Sequence, residues 1–253
     1  SWMAQSILAG RSIESGMLFH GSLAKEAPKD QKAHQLYFEV EDSILDYDAA
    51  WPRFDELMAT IFLDNFEISS KDARGRMFDS DVYDATVMVP ISADGVADSI
   101  LIEGKVRGAL SDGVRVLTET PLLEATSNMA VGWRAQGEMS GSAKLNLPIG
   151  PRAERGEPTW AEVNVDLAGA DLTMANFDLD FTDIQGQLRY ESNSALSSKG
   201  FTARLFEQDV LGTIMSTGNA NAGEIVVTMD GRVAAAYLYR SSDQPLLSRA
   251  DVQ

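Results

Sequence analysis

Apolar and polar residues alternate one for one along most of this chain. Between Trp133 and Leu147 the odd positions are Trp133, Ala135, Gly137, Met139, Gly141, Ala143, Leu145 and Leu147. The even positions are Arg134, Gln136, Glu138, Ser140, Ser142, Lys144 and Asn146. Successive side chains of a strand point to opposite faces, so the segment predicts a ribbon with one apolar and one polar face. At about 3.3 Å per residue the ribbon would span roughly 50 Å, well beyond an ordinary strand. Either the strand is unusually long, or it bends at Gly137 and Gly141 and stays in one sheet. A long sheet with one apolar side must cover that side with something.

The same alternation recurs from end to end. Residues Gly16 to Leu23 predict a strand, and Leu36, Phe38 and Val40 alternate with Tyr37, Glu39 and Glu41. Ile44 to Tyr47 extends that strand, and Trp51-Pro52 marks a turn. Leu57, Ala59, Ile61 and Leu63 form a one-sided strand, as do Tyr83, Ala85, Val87 and Val89, and then Ile100, Ile102, Gly104 and Val106. Later strands are marked by Val163-Val165-Leu167, Leu172-Met174, Phe177-Leu179-Phe181, Leu188-Tyr190, Phe201-Ala203-Leu205, Val210 to Met215, and Ile225-Val227-Met229. Turns fall every 8–12 residues or so, the spacing of an all-β chain. Helices are few. Trp2 to Leu8 predicts a short one ended by Gly10, and Asp112 to Thr120 predicts another, capped by Asp112 and stopped by Pro121. Leu122 to Ala125 predicts one further turn. Pro148 to Pro158 (PIGPRAERGEP) predicts an exposed loop or linker.

The chain also repeats itself. SSKDARGRMFDSDV, Ser69 to Val82, aligns without a gap with SSKGFTARLFEQDV, Ser197 to Val210, at an offset of 197 − 69 = 128. Lys71/Lys199, Arg76/Arg204, Phe78/Phe206, Asp81/Asp209 and Val82/Val210 are shared. A predicted helix followed by a Gly-marked strand also occurs twice, from Trp2 and from Asp112. Repetition implies stacked units, each burying the edge of the next. We expect a first β unit at residues 1–110 and a second at 111–253.

Composition narrows the function. A net charge of −17 argues against nucleic acid and against docking flat on an anionic membrane surface. The chain has no cysteine, which removes disulfides, thiolate nucleophiles and thiolate metal sites. No run of about 18 apolar residues exists, so no direct membrane span is expected, and the abrupt Ser1-Trp2-Met3 start suggests a piece of something longer.

Catalytic signals are poor. His20 and His34 lack metal-site spacing and predict a structural or surface role, so no metal and no cofactor is expected. Asp171, Asp178, Asp180 and Asp183 predict a wet outer face, Asp178 and Asp180 alternating with Phe177, Leu179 and Phe181. Ser140-Gly141-Ser142 lacks the GxSxG of a nucleophile elbow. Arg76 and Arg204 could hold a headgroup phosphate, but ion pairs with Asp81 and Asp209 fit better. The chain is therefore not expected to be an enzyme. Two readings of the apolar faces remain: a sandwich whose sheets cover each other, or a curved sheet whose apolar side stays open to a lipid tail. Small residues Ala135, Gly137, Gly141 and Ala143 favour the second, because they leave volume that a protein core would fill.

Successive landmarks resemble those of the YhdP family, within the AsmA-like group that includes TamB. They are Trp2-Met3 with Gly10, Gly21-Ser22-Leu23, Phe38-Glu39-Val40, Leu45-Asp46-Tyr47 and Trp51-Pro52. Leu117 to Leu122, Trp133, Gly137, Leu145-Asn146-Leu147-Pro148, Gly186 to Tyr190 and Gly200 to Val210 continue the series. The resemblance implies a middle segment of an inner-membrane-anchored periplasmic protein of Gram-negative bacteria. In that family, repeated β units form a lipid-lined groove that carries phospholipid towards the outer membrane. No catalytic residues come with it.

The expected fold is therefore mainly β: an elongated, curved antiparallel sheet of repeated units forming an apolar groove, taco-like, with one or two short helices. The expected partners are phospholipid acyl chains and neighbouring repeat units. The expected lining residues are Trp133, Met139, Leu145, Leu147, Leu179, Phe181, Leu57, Ile61, Val87 and Val89, the faces being chosen by alternation alone. The competing expectation is a non-catalytic structural or adhesive β-sandwich that binds a protein partner through a sheet edge.

Overall fold

Strands form wherever the one-for-one alternation runs unbroken. In a computed structural model of the chain the residues described are 7–22, 32–46, 50–64, 67–92, 94–120, 122–125, 130–175, 178–217 and 224–231. The strands are β1 (Ile7–Gly21), β2 (Lys32–Leu45), β3 (Phe54–Asp64), β4 (Glu67–Met77), β5 (Ser80–Pro90) and β6 (Ser99–Ala109). They continue as β7 (Trp133–Gln136), β8 (Glu138–Pro148), β9 (Trp160–Met174), β10 (Leu179–Glu191), β11 (Ala195–Leu205), β12 (Gln208–Thr217) and β13 (Glu224–Gly231). The chain is mainly β. The 13 strands make one open antiparallel sheet, not a closed barrel, in the order β1-β2-β3-β4-β5-β6-β8-β9-β10-β11-β12-β13, with β7 beside β9. Helix α1 (Leu110–Thr118) and helix α2 (Leu122–Ala125) follow β6, and a single helical turn, α3 (Gly150–Glu154), follows β8. Among the described residues no helix is long and apolar enough to cross a membrane.

Three expectations change. Ile7 and Leu8 lie in β1 and not in a helix, and Gly10 sits inside that strand at φ 150°; the rest of the expected helix, Trp2 to Ser6, lies outside the described residues. Pairing with β2 from Ile7↔Leu45 to Gly21↔Lys32 overrides a weak helical pattern there. The 148–158 loop contains α3, because Pro151 is pre-set for a first helical turn. Its end is held by Glu157, which accepts from Arg152 Nε at 2.7 Å and from Arg155 at 2.6 Å. The long ribbon breaks at Gly137 alone. There φ is +92°, and a Cβ would meet Ala170 Cα at 2.9 Å. Gly141 continues β8, and its missing side chain makes room for the Asn164 carbonyl.

The offset of 128 extends well beyond the matching hairpin. Adding 128 to β4 (67–77) gives 195–205, the bounds of β11. β2 (32–45) maps to 160–173, within β9 (160–174). β5 (80–90) maps to 208–218 against β12 (208–217). β3 (54–64) maps to 182–192 against β10 (179–191), and β1 (7–21) maps to 135–149 around β8 (138–148). β6 (99–109) maps to 227–237, overlapping β13 (224–231). The chain is thus the same series of strands written twice.

By internal contacts the chain divides into two compact units. Unit 1 is residues 1–106 with 142–162, and unit 2 is residues 107–141 with 163–253.

Within unit 1 the strands bend at corresponding places. Asp42, Glu56, Asp72 and Asp84 all have φ between 49° and 55°, and each interrupts the pairing register of its strand. These are β-bulges, which kink and twist a strand. An acidic residue fits because Asp tolerates the left-handed region and its charge stays outside. Lys105 Nζ donates to Asp84 Oδ2 at 2.9 Å across the kink, and Asp84 raises the Lys105 pKa chiefly through that bond. Unit 2 repeats the device at Asp183, φ 51°, whose backbone N–H donates to Asp171 Oδ1 at 3.0 Å.

Candidate functional site

Directly paired residues of antiparallel strands share a face, so the register builds the site. In unit 1 the pairs Leu36↔Leu63, Leu63↔Ile68 and Ile68↔Val89 make one row across β2–β5. Phe38↔Ile61, Ile61↔Ser70 and Ser70↔Val87 make the next. Val40↔Ala59 continues the face, and Leu57 follows Ala59 by the strand period. The opposite face carries Gln35, Asp64 and Glu67 in one row and Tyr37, Phe62, Ser69 and Met88 in another. One face of β2–β5 is therefore mostly apolar, interrupted by His34, Ser43 and Ser70, and the other is mixed.

The apolar face of unit 1 is incompletely covered. Leu36, Phe38, Val40, Leu57, Ala59, Ile61, Leu63, Ile68, Val87 and Val89 are all half-buried, each keeping part of its surface in solvent. Strand β1 extends the face outward through Met17, paired with Leu36, and Phe19, paired with His34. Met17 is 75% exposed.

Of the expected lining residues, Leu57, Ile61, Val87 and Val89 share this single face. Leu145 and Leu147 also belong to unit 1 and are half-buried on β8. The other four belong to unit 2. Trp133 is half-buried and pairs with Met174, and Leu179 is half-buried beside exposed Asp178 and Asp180. Met139 and Phe181 are buried in the core of unit 2. Met139 packs under α1, where its sulfur lies 2.9 Å from a Cβ built on Gly113. Phe181 pairs with Leu205, itself buried. Close by, the Phe201 ring lies against Gly212, where a Cβ would collide with it. In unit 2, then, the protein's own groups fill space at these points.

Alternation had marked Leu36, Phe38, Val40 and Leu63 as strand positions but not as lining. Their membership depends on which residue each faces across the strand, and a single strand's pattern does not carry register.

The two repeated arginines sit in matching surroundings. Arg76 donates to the Asp79 carbonyl at 3.1 Å, and Arg204 to the Glu207 carbonyl at 3.2 Å, positions again 128 apart. Arg76 lies 3.8 Å from carboxylates of Glu56 and Asp79, and Arg204 lies 3.7 Å from Asp209. Each borders an open cleft. The first, about 390 Å³, is lined by Asp42, Asp55, Glu56, Arg76 and neighbours, and the second, about 450 Å³, by Asp183, Arg204, Asp209, Asp230 and neighbours. Three carboxylates to one guanidinium in each cleft disfavour a phosphate there.

The histidines do not converge. His20 pairs with Ala33 and His34 with Phe19, so consecutive strand positions put the two rings on opposite faces. The chain matches the family model described as YhdP protein over residues 1–251. No curated protein and no solved structure matches it. A mainly β chain with a doubled strand series and a mostly apolar sheet face in unit 1, matched to that model almost from end to end, belongs to the YhdP family.

Proposed function

We propose that this chain is a segment of a periplasmic lipid-transfer protein, anchored in the inner membrane through other parts of the molecule, and that it shields phospholipid acyl chains on their way between the two membranes of a Gram-negative envelope. The observation that carries the reading is the half-covered apolar face of unit 1, built from Leu36, Phe38, Leu57, Ile61, Leu63, Ile68, Val87 and Val89. Each methylene of an acyl chain costs roughly 0.8 kcal/mol in water. Rows of apolar side chains on adjacent strands, about 4.8 Å apart, offset that cost without a directional contact. Contact of this kind holds a chain weakly everywhere and deeply nowhere, which suits sliding. The phosphate headgroup stays in solvent, and neighbouring repeat units would continue the surface. Family membership supports the same role. No catalytic step is part of it.

Photo-reactive residues at Ile61 and Val87 should trap phospholipid in cells, whereas those at Thr60 and Met88, on the other face, should not. Equal labelling of both pairs would overturn the face assignment. Ile61→Glu should remove phospholipid that co-purifies with the chain in native mass spectrometry while leaving its circular dichroism intact. Met139→Glu is a poor probe of lipid, because it places a charge in the core of unit 2 and should lower thermal stability instead.

A further inference from the structure

Across β2–β5 each bulge is cancelled by a bulge on the next strand. From Val40↔Ala59 to Ser43↔Leu57, β2 advances three residues while β3 advances two. From there to Leu45↔Phe54, β3 advances three while β2 advances two, and the original register returns. The same exchange places Met58↔Arg74 between Thr60↔Lys71 and Asp55↔Arg76, and Ala73↔Ala85 between Ser70↔Val87 and Gly75↔Val82. Asp42, Glu56, Asp72 and Asp84 are thus one extra residue per strand at one level of the sheet, and all four are exposed. In unit 2 the extra residue of β11 falls between Ser198 and Phe201, and 72 + 128 = 200. The other side of that level is built of small groups. Ser43, Ala73 and Ala85 stand there at 3%, 5% and 7% exposure, and Leu57 takes the place on β3. On the flanking strands a Cβ at Gly10 would collide with Ser43 Oγ, and one at Gly104 would lie 3.2 Å from the Ala85 Cβ.

We infer that the four bulges are a single crease along which the sheet of unit 1 folds towards its apolar face, and that Asp42, Glu56, Asp72 and Asp84 are positioning residues for the lipid-shielding surface. At each bulge two successive residues separate face positions that are normally one residue apart: Glu41-Asp42, Asp55-Glu56, Lys71-Asp72 and Tyr83-Asp84. A backbone that doubles its outer side bends away from it, and the charged groups stay in water. The inside of such a bend has room for small side chains, which is what Ser43, Ala73 and Ala85 are. A bulge on one strand alone would slip the register and turn every later side chain to the wrong face. Four at one level bend the sheet and leave the alternation intact. Apolar rows on the far side of the crease are then turned inward instead of lying on a flat sheet. The role given to the crease rests on the lipid-shielding reading, whereas the crease itself does not.

The chain has no cysteine, so thiols placed at will take spin labels cleanly. Gln35→Cys on β2 and Asp46→Cys just past its end are 46 − 35 = 11 residues apart, about 36 Å if the strand ran straight. The labelled chain should give a clearly shorter distance. Deleting Asp42, Glu56, Asp72 and Asp84 together leaves an unbroken ladder, with Glu41 opposite Met58 and Ser43 still opposite Leu57. In that chain, checked by circular dichroism for native β content, the distance should lengthen although the path between the labels has lost a residue. Phospholipid labelling from a photo-reactive residue at Ile61 should fall several-fold. Glycine at all four positions takes positive φ freely, so that variant should keep both the native distance and the labelling. A straight-strand distance in the chain carrying only the two labels, or one that shortens on deletion by about one residue's rise of 3.3 Å, would overturn the crease. If the deletion chain does not fold, the distances in the other two chains decide: a glycine variant that loses the short distance overturns the inference, and one that keeps it supports the crease. Undiminished labelling in a straightened chain would end its role in lipid shielding. A chain with native side chains at all four positions that never labels at Ile61 would instead end the lipid reading, with the distances still deciding the crease.

Discussion

At the scale of single residues, alternation was readable and register was not. Exposed Arg134, Gln136, Glu138, Ser140 and Lys144 against less exposed Trp133, Ala135, Met139, Ala143 and Leu145 follow the pattern of the sequence, from which Gly137, Ser142 and Asn146 depart. Whether an inward side chain is core or open surface depends on what crosses it, and the sequence of one strand is silent on that. Met139 and Phe181 show the difference, since both alternate correctly and both are buried by neighbours distant in sequence. Two glycines test the packing. Gly141→Ala should destabilise by about 1–3 kcal/mol, because its Cβ would strike the Asn164 carbonyl, whereas Gly200→Ala, with nothing within 4 Å, should leave the melting temperature nearly unchanged. Two serines at repeat-equivalent positions make a second comparison. Ser198 Oγ donates to the Gln187 carbonyl at 2.7 Å, and Ser70 Oγ is buried without a partner. Ser198→Ala should cost about 1 kcal/mol in denaturant unfolding, and Ser70→Ala should be neutral or stabilising. Glu157 supplies a pH test. Arg152 and then Arg155 hold its carboxyl below the ordinary 4.5. A depressed carboxylate stabilises above its unfolded pKa and loses that contribution as pH falls through the folded one. Amide protection across residues 150–157, measured relative to the intrinsic exchange rate at each pH, should therefore fall in acid below the ordinary 4.5, and Glu157→Gln should remove that fall.

At the scale of elements, most strands were readable because polar and apolar residues alternate within each and Gly, Pro or Asp closes it. α1 was readable too, since Leu110, Val114 and Leu117 share one side at helical spacing; it begins two residues before the expected Asp112. The bulges were not readable. Asp42, Glu56, Asp72 and Asp84 look like ordinary outward residues, yet each shifts the pairing by one and bends its strand. Their backbone conformation predicts an unusual mutational response. Asp72→Gly should be tolerated or mildly stabilising, because glycine takes φ of 55° without strain, while Asp72→Val, normally a good strand residue, should destabilise by about 1–3 kcal/mol in thermal unfolding.

At the scale of the whole molecule, one 14-residue match, Ser69 to Val82 against Ser197 to Val210, exposed a period that governs the strand series throughout. The rest of the repeat had lost its wording. β2 and β9 share little sequence: 32–45 maps onto 160–173 in its bounds, but Leu36 and Phe38 fall on Asn164 and Asp166, and Tyr37 and Glu39 on Val165 and Leu167. A sheet face tolerates many apolar identities where a tight turn does not, so Phe78 and Phe206, both at positive φ, keep their identity. The apolar face of unit 1 was legible as a set of strands but not as one surface, and the family resemblance rather than the spacing named the lipid.

The constancy of the period has a consequence for how length is set. Residues 78–205 number 205 − 78 + 1 = 128, and excising them joins Met77 to Phe206 inside a turn of the kind already present at both places. The shortened polypeptide would run from β4 into β12 with every neighbour it had before, merely borrowed from the other half. Sections that match in strand bounds, though not in sequence, would let such a polypeptide be trimmed or extended by whole sections at a hairpin, with no new joint to invent.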